Sequence, residues 1–316
     1  MTWDVLWADG EPTADWSHAG IVAIDERRIA FGHPSGRGLV ILDATGGSRF
    51  LPTPTTEVHG LSLAPGDGVW VADPGFKAQP SDGYREDRRH GRALLISLEG
   101  EVLTELRQPE HPAYEVRPWR PTSVVAAPDG SVWVADGYGE NLVHRFDSAG
   151  AVVRTLGDAP SGVAFDCPHG LVVDPRIAGD PRIVLADRGH RRLVWLSLDG
   201  DAVQELCDAA VTAPSCLAVR GDELLVTDLC GGVRAVDRTG AGRWIAEPPP
   251  GVVMTPPWPN VLDGSVLRRP LLEPDRLHSP HGIAVGADGD LYLTEWLIGG
   301  RQLRIPFPEL RGDPGA

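Results

Sequence analysis

Short apolar runs punctuated by Pro, Asp and Gly make up most of the chain. Runs such as Val69-Trp70-Val71 and Leu193-Val194-Trp195-Leu196 are rich in β-branched and aromatic residues, which suit a pleated surface packed against neighbouring sheets. No segment carries a sustained helical stripe, and turn residues close each run within a few positions. The pattern predicts an all-β fold of many short strands.

The runs also repeat. His59-Gly60-Leu61-Ser62-Leu63, His169-Gly170-Leu171-Val172-Val173 and His281-Gly282-Ile283-Ala284-Val285 open three similar units, 110 and 112 residues apart. Between them the same grammar recurs: an apolar strand, a Pro/Asp/Gly turn, and a second strand ending in Ala-Asp or Thr-Asp. Thr122 to Asp136 reads TSVVAAPDGSVWVAD, Ser215 to Asp228 reads SCLAVRGDELLVTD, and a degenerate copy starts at Ala19. Six units beginning near Ala19, His59, Thr122, His169, Ser215 and His281 predict one six-bladed β-propeller domain over residues 1–316, the first strand of each blade lining a central channel. Insertions near 74–92 and 246–275 account for the two longer intervals. The last unit supplies three strands only, so the alternating stretch Thr2-Trp3-Asp4-Val5-Leu6-Trp7 is expected to complete that blade, closing the ring and removing an exposed edge. Loss of residues 1–9 is then expected to destabilise the whole ring.

In this architecture the three histidines stand about 120° apart at one height on the channel wall. One buried histidine usually needs only a backbone partner, but neither propensity nor packing requires three at equivalent positions. A trigonal set of imidazoles leaves a coordination position open, as catalytic rather than structural zinc sites do. The glycine after each histidine reads as a point of close chain approach. A second ring, Gly32, Asp73, Asp136, Asp187, Asp228 and Glu295, ends the second strands, and its carboxylates are expected to accept turn N–H bonds. Residues following this ring are candidates to reach a ligand: Tyr138 as a general acid–base group, Arg188 as a carboxylate clamp, and His33. The run Arg85 to His90 reads as a loop tip or gate, Pro248 to Pro259 as a lid, and His278 as a minor support for His281.

A formal charge of −15 opposes binding to phosphate backbones, so no nucleic-acid partner is expected. The opening residues carry charges and no long apolar run, which argues against a membrane span or secretory signal and for a cytoplasmic location. Cys167, Cys207, Cys216 and Cys230 lack CxxC spacing and read as small buried hydrophobes. Oligomeric state is left open.

The segments PTSVVAAPDGSVWVADGYGENLVHRF, CPHGLVVDP with VLADRGHRR, and SPHGIAVGADGDLYLTEW resemble NHL repeats. With the three His-Gly starts, the DGY and the ADR phrases, the stretch from about Val58 to Trp296 resembles the peptidyl-α-hydroxyglycine α-amidating lyase family. The resemblance implies zinc on His59, His169 and His281, active-site roles for Tyr138 and Arg188, and a calcium ion supporting the axis. It also implies a reaction that splits an N-(α-hydroxy) amide adduct into an amide and glyoxylate. Three departures stand out. The family's last His-Asp pair is His281-Gly282 here, which takes a carboxylate from the calcium. Its first-blade arginine is replaced by Phe31-Gly32-His33-Pro34, with Arg37 out of register. Ser279-Pro280 stand where the family has a methionine before the last histidine.

These changes surround the substrate rather than the metal ligands. The expected function is a zinc-dependent lyase acting on the C–N bond of a small, carboxylate-bearing α-hydroxy amide or hemiaminal. Two alternatives remain at this point: a hydrolase or isomerase on the same zinc, and an NHL-type binding scaffold without chemistry. A calcium-dependent lactonase fits less well, because its ion calls for oxygen ligands.

Overall fold

The computed structural model describes residues 3–6, 14–66, 68–80, 83–207 and 211–306. Six four-stranded antiparallel sheets follow one another along the chain. Their innermost strands are Ile21–Ala23, Gly60–Leu63, Ser123–Ala126, Pro168–Asp174, Pro214–Arg220 and Pro280–Val285. The fold is the expected all-β, six-bladed propeller.

Each blade opens with the hairpin written in the sequence. In the third, Asp129 Oδ1 accepts the Ser131 N–H at 3.0 Å, the Gly130 N–H donates to the Ala127 carbonyl, and Gly130 takes a φ of 82°, a backbone state open to glycine at little cost. Second strands are buried on both faces because sheets stack on either side. Trp133, Leu156, Ile183 and Leu196 share one apolar cluster between blades three and four, and burying such side chains contributes about 1.5–3 kcal/mol each.

The last blade consists of Pro280–Val285, Leu291–Glu295 and Arg301–Ile305, with Asp4–Val5 antiparallel on its outer edge. Asp4 faces Arg304 and Val5 faces Leu303, while Trp3 packs on the cluster that contains Leu293 and Leu303. Residues 1, 2 and 7–9 of the expected closing segment lie outside the described residues. Further along, Trp16–Ser17 pairs with Leu297–Ile298.

The acidic ring is structural, as its position at strand ends suggested. Asp73, Asp136, Asp187, Asp228 and Glu295 are all fully buried. They accept backbone N–H bonds from Thr56, Arg120, Asp166, Thr212 and His278 respectively. Each donor lies two to four residues ahead of the channel strand of its own blade. The carboxylates therefore hold the segments that deliver the channel-lining residues.

Candidate metal centre and active site

His59, His169 and His281 meet on the axis. Their ring centroids are 4.7–5.0 Å apart in pairs, and all three residues are buried. Each Nδ1 faces a backbone carbonyl at the start of the next blade: Thr122 at 2.6 Å for His59, Ser215 at 2.9 Å for His169, and Ala19 at 3.3 Å for His281. A carbonyl only accepts, so each Nδ1 carries the proton and each Nε2 presents a lone pair to the channel. Burial holds His59 near a pKa of about 3 and pushes His169 and His281 well below the usual histidine range. The three rings are neutral, as metal binding requires.

The following glycines share the same contacts. A Cβ on Gly60 would stand 2.5 Å from the Thr122 carbonyl oxygen, and one on Gly170 would stand 2.5 Å from that of Ser215. At Gly282 the nearest atoms would be Thr294 Oγ1 at 2.6 Å and the Ala19 oxygen at 3.1 Å. A side chain there would need Thr294 or the chain itself to shift. Among the described residues the axial histidines belong to the group of convergent metal-type donors, and Gly282 offers no carboxylate beside them.

Tyr138 reaches the same point. Its hydroxyl lies 3.0 Å from His169 Nε2 and 3.3 Å from His59 Nε2, and Arg188 Nη1 stands 3.4 Å away. Asp136 anchors the strand end from which Tyr138 projects. Burial pushes the Tyr138 hydroxyl up to about 12, partly offset by the Arg188 charge. Arg188 is held by Ser215 Oγ at 3.0 Å and the Pro214 carbonyl at 3.3 Å.

His33 is not brought to this point. The chain turns back immediately after it, Gly36 N–H donating to the His33 carbonyl, and the imidazole contacts Ser35 and the Phe50 ring. His278 supports the 246–275 insertion rather than the histidine cluster: its Nε2 meets the Pro259 carbonyl at 2.6 Å, beside Trp258.

Three residues join the site without having been singled out in the sequence. His18 Nε2 lies 3.2 Å from His59 Nε2 and 3.1 Å from the Tyr138 hydroxyl. Lys77, in the first insertion, donates to Glu57 Oε2 at 2.6 Å and to the Trp16 carbonyl at 2.7 Å. Glu57 is buried, its Oε1 has no hydrogen-bond partner among the described residues, and burial raises its pKa to about 7 despite the lysine. The signals for them were faint: His18 sits one residue ahead of the degenerate first unit, and Glu57 two residues ahead of His59.

A cavity of about 480 Å³ opens onto the cluster. Trp16, Phe76, Tyr84 and Trp296 give it aromatic walls, and Arg120 and Arg188 bring positive charge. The insertion near 74–92 forms one side through the paired strands Phe76–Gln79 and Arg85–Arg88. The other insertion reaches the wall indirectly, with Trp258 edge-on to Trp296 at 5.7 Å. A chain of net charge −15 thus keeps a locally cationic, aromatic pocket over a nitrogen-donor cluster.

No protein-family model matches the chain. Peptidylglycine alpha-amidating monooxygenase of Rattus norvegicus is 25% identical over 294 residues, which cover 89% of this chain and 26% of the rat protein. Peptidyl-alpha-hydroxyglycine alpha-amidating lyase 1 of Drosophila melanogaster is 25% identical over 263 residues, covering 75% of this chain and 42% of the fly protein. The chain therefore spans between a quarter and a half of the length of these relatives. Among solved structures, a streptogramin B lyase superposes with a TM-score of 0.62 at 14% identity, covering 96% of this chain and 97% of that one. At that identity the likeness speaks for the fold alone. The chain is a six-bladed β-propeller whose sequence relatives are amidating enzymes, with a histidine cluster on its axis compatible with a metal ion.

Proposed function

We propose that the chain is a metal-dependent lyase that breaks the C–N bond of an N-(α-hydroxy) amide or hemiaminal carrying a carboxylate. The observation that carries this reading is the Tyr138 hydroxyl, which sits against the Nε2 atoms of His59 and His169 and within reach of Arg188.

The donor set fits a metal ion. Three Nε2 lone pairs face one region, their tautomers are set by carbonyls as is usual for ligating histidines, and the buried His281 Nε2 has no hydrogen-bond partner among the described residues. Imidazoles suit zinc and its neighbours better than calcium. When bound, the ion would act as a Lewis acid toward the substrate's oxygens.

The protein's own groups would manage the proton. With its pKa pushed upward, the Tyr138 phenol is neutral at ordinary pH and is placed to give its proton to the departing amide nitrogen. It regains one from the α-hydroxyl. The C–N bond breaks, the hydroxyl oxygen becomes a carbonyl, and the O–H proton ends on nitrogen, so no water is consumed. Arg188 would fix the carboxylate, and the aromatic walls would hold the acyl portion and keep water out.

The test is a panel of N-acyl-α-hydroxyglycines incubated with metal-loaded protein, with amide and glyoxylate followed together in ¹⁸O-labelled water. Equal yields of both products, with the newly formed amide unlabelled, are expected. A labelled carboxylic acid in place of the amide would replace the lyase by a hydrolase. Absence of turnover across the panel would remove α-hydroxyglycine amides from the substrate class.

A further inference from the structure

The histidines that open the blades are not the whole donor set. His18 lies ahead of the first channel strand, on a segment that belongs to no repeat unit. Its ring sits 4.3 Å from that of His59 and 4.6 Å from that of His281, and it stacks on Trp296 at 5.4 Å. One donor atom from each of His18, His59, His169 and His281 falls within 4.8 Å of the others. Two nitrogens on one ion, each at about 2.1 Å, are separated by at most roughly 4 Å. The 3.2 Å between the Nε2 atoms of His18 and His59 is therefore a ligand-pair spacing. As a hydrogen bond the same contact demands that His18 carry its proton on Nε2, because His59 already donates from Nδ1 to Thr122.

The segment carrying His18 is tied down on both sides. Trp16–Ser17 pairs with Leu297–Ile298 of the last blade, Lys77 binds the Trp16 carbonyl, and the Tyr84 hydroxyl donates to the Ala14 carbonyl. Its imidazole is thus delivered to the axis by backbone pairing and not by a free loop.

We infer that His18 is a fourth ligand, so that the axial ion has four imidazole donors and binds this segment to blades two, four and six. The inference rests on the metal-site reading above. It changes the chemistry in one respect. Four protein donors saturate a tetrahedral ion and make a closed site. A substrate oxygen can then bind only if the ion accepts five or six ligands, which favours ions such as Fe²⁺, Co²⁺ or Ni²⁺, or zinc in an expanded shell. The bond also makes the ion a fastener for the segment that lies on the last blade.

The experiment uses full-length protein purified without a histidine tag, stripped of metal and reloaded with Zn²⁺ or Co²⁺. Wild type, His18→Ala and His18→Gln are compared by metal stoichiometry, affinity, visible absorption of the Co²⁺ form, and melting temperature with and without ion. Apo melting temperatures close to wild type establish that the variants fold. Expected are weak Co²⁺ bands in wild type, as for an ion with more than four ligands, and at least about a tenfold loss of affinity in both variants, since even outer partners of ligands are worth 10–100-fold. A changed Co²⁺ spectrum and a smaller metal-induced rise in melting temperature should accompany it. Unchanged affinity and spectrum in both variants, with wild type binding one ion, would overturn the role of His18 and leave the three-histidine site standing. No stoichiometric binding by wild type would overturn both.

Discussion

The carbonyl oxygen of Ser215 lies 2.9 Å from Nδ1 of His169 and 2.5 Å from where a Cβ on Gly170 would stand. One backbone atom thus sets the tautomer of the histidine and forbids a side chain on the residue after it. Thr122 does the same for His59 and Gly60. The His-Gly phrase is accordingly a single device: the chain must approach the next blade closely for the imidazole to find its acceptor.

Gly170→Ala is expected to push the first strands of blades four and five apart. Overpacking of this kind costs about 1–3 kcal/mol, and the loss of the Nδ1 acceptor should lower ion affinity by 10–100-fold. Chemical denaturation and metal titration of the same variant check both. Normal ion affinity in a destabilised variant would separate the glycine from the site.

Alanine at His59, His169 or His281 should each abolish most metal binding, while the variants melt near the apo wild type. The propeller owes its stability to the apolar clusters between blades, and a catalytic ion contributes little beside a large core. Metal analysis and calorimetry are the measurements. Global unfolding on loss of the ion would instead mark the site as structural.

Tyr138→Phe should keep the ion and lower kcat by about 10²–10⁴, the range for a positioned acid–base group. The ring still packs beside Phe76 and the histidines, so the fold should not change. Retained turnover would take the hydroxyl out of the mechanism.

Blade count, the three axial histidines, Tyr138 and Arg188 were legible in the sequence because repetition gives equivalent residues equivalent places. His18 was not, since it precedes the first unit and reaches the axis through the Trp16–Ser17 pairing rather than through a repeat position. Lys77 sits in an insertion, where no register exists to predict that its ammonium turns inward to Glu57 and Trp16. His33 lies apart from the cluster for the opposite reason. Register placed it beside the channel mouth, but the tight turn from His33 to Gly36 carries it to Phe50.

The buried Glu57–Lys77 pair gives a test by double substitution. Both side chains are nearly inaccessible. Lys77→Met leaves Glu57 buried without its cation, so that the group must either stay charged or take up a proton, and should cost about 3–5 kcal/mol. Adding Glu57→Gln should recover most of that loss, because no charge then remains to be buried. A double variant as unstable as Lys77→Met would show that packing of the lysine stem, not charge, sets the cost.

Away from the axis, His144 provides a pH test. It is fully buried, its Nε2 lies 2.6 Å from the Tyr114 hydroxyl and its Nδ1 3.0 Å from Thr155 Oγ1. Burial lowers its pKa to about 3, and His111 adds to the shift while Asp158 opposes it. Since the unfolded chain takes up this proton near pH 6.5 and the folded chain does not, stability from this group is lost as pH falls from 6.5 toward 3. The slope is about 1.4 kcal/mol per pH unit at most. Asp136, which accepts from Tyr114 at 2.8 Å, works in the other direction. Burial raises its pKa from 3.8 to about 7, so its contribution is lost as pH rises through that window, and the two slopes oppose each other in wild type. His144→Gln removes only the first. The substitution should therefore cost roughly 2 kcal/mol more at about pH 6 than at about pH 4.5, measured by urea denaturation. An equal cost at both values would mean that His144 is protonated inside the folded blade.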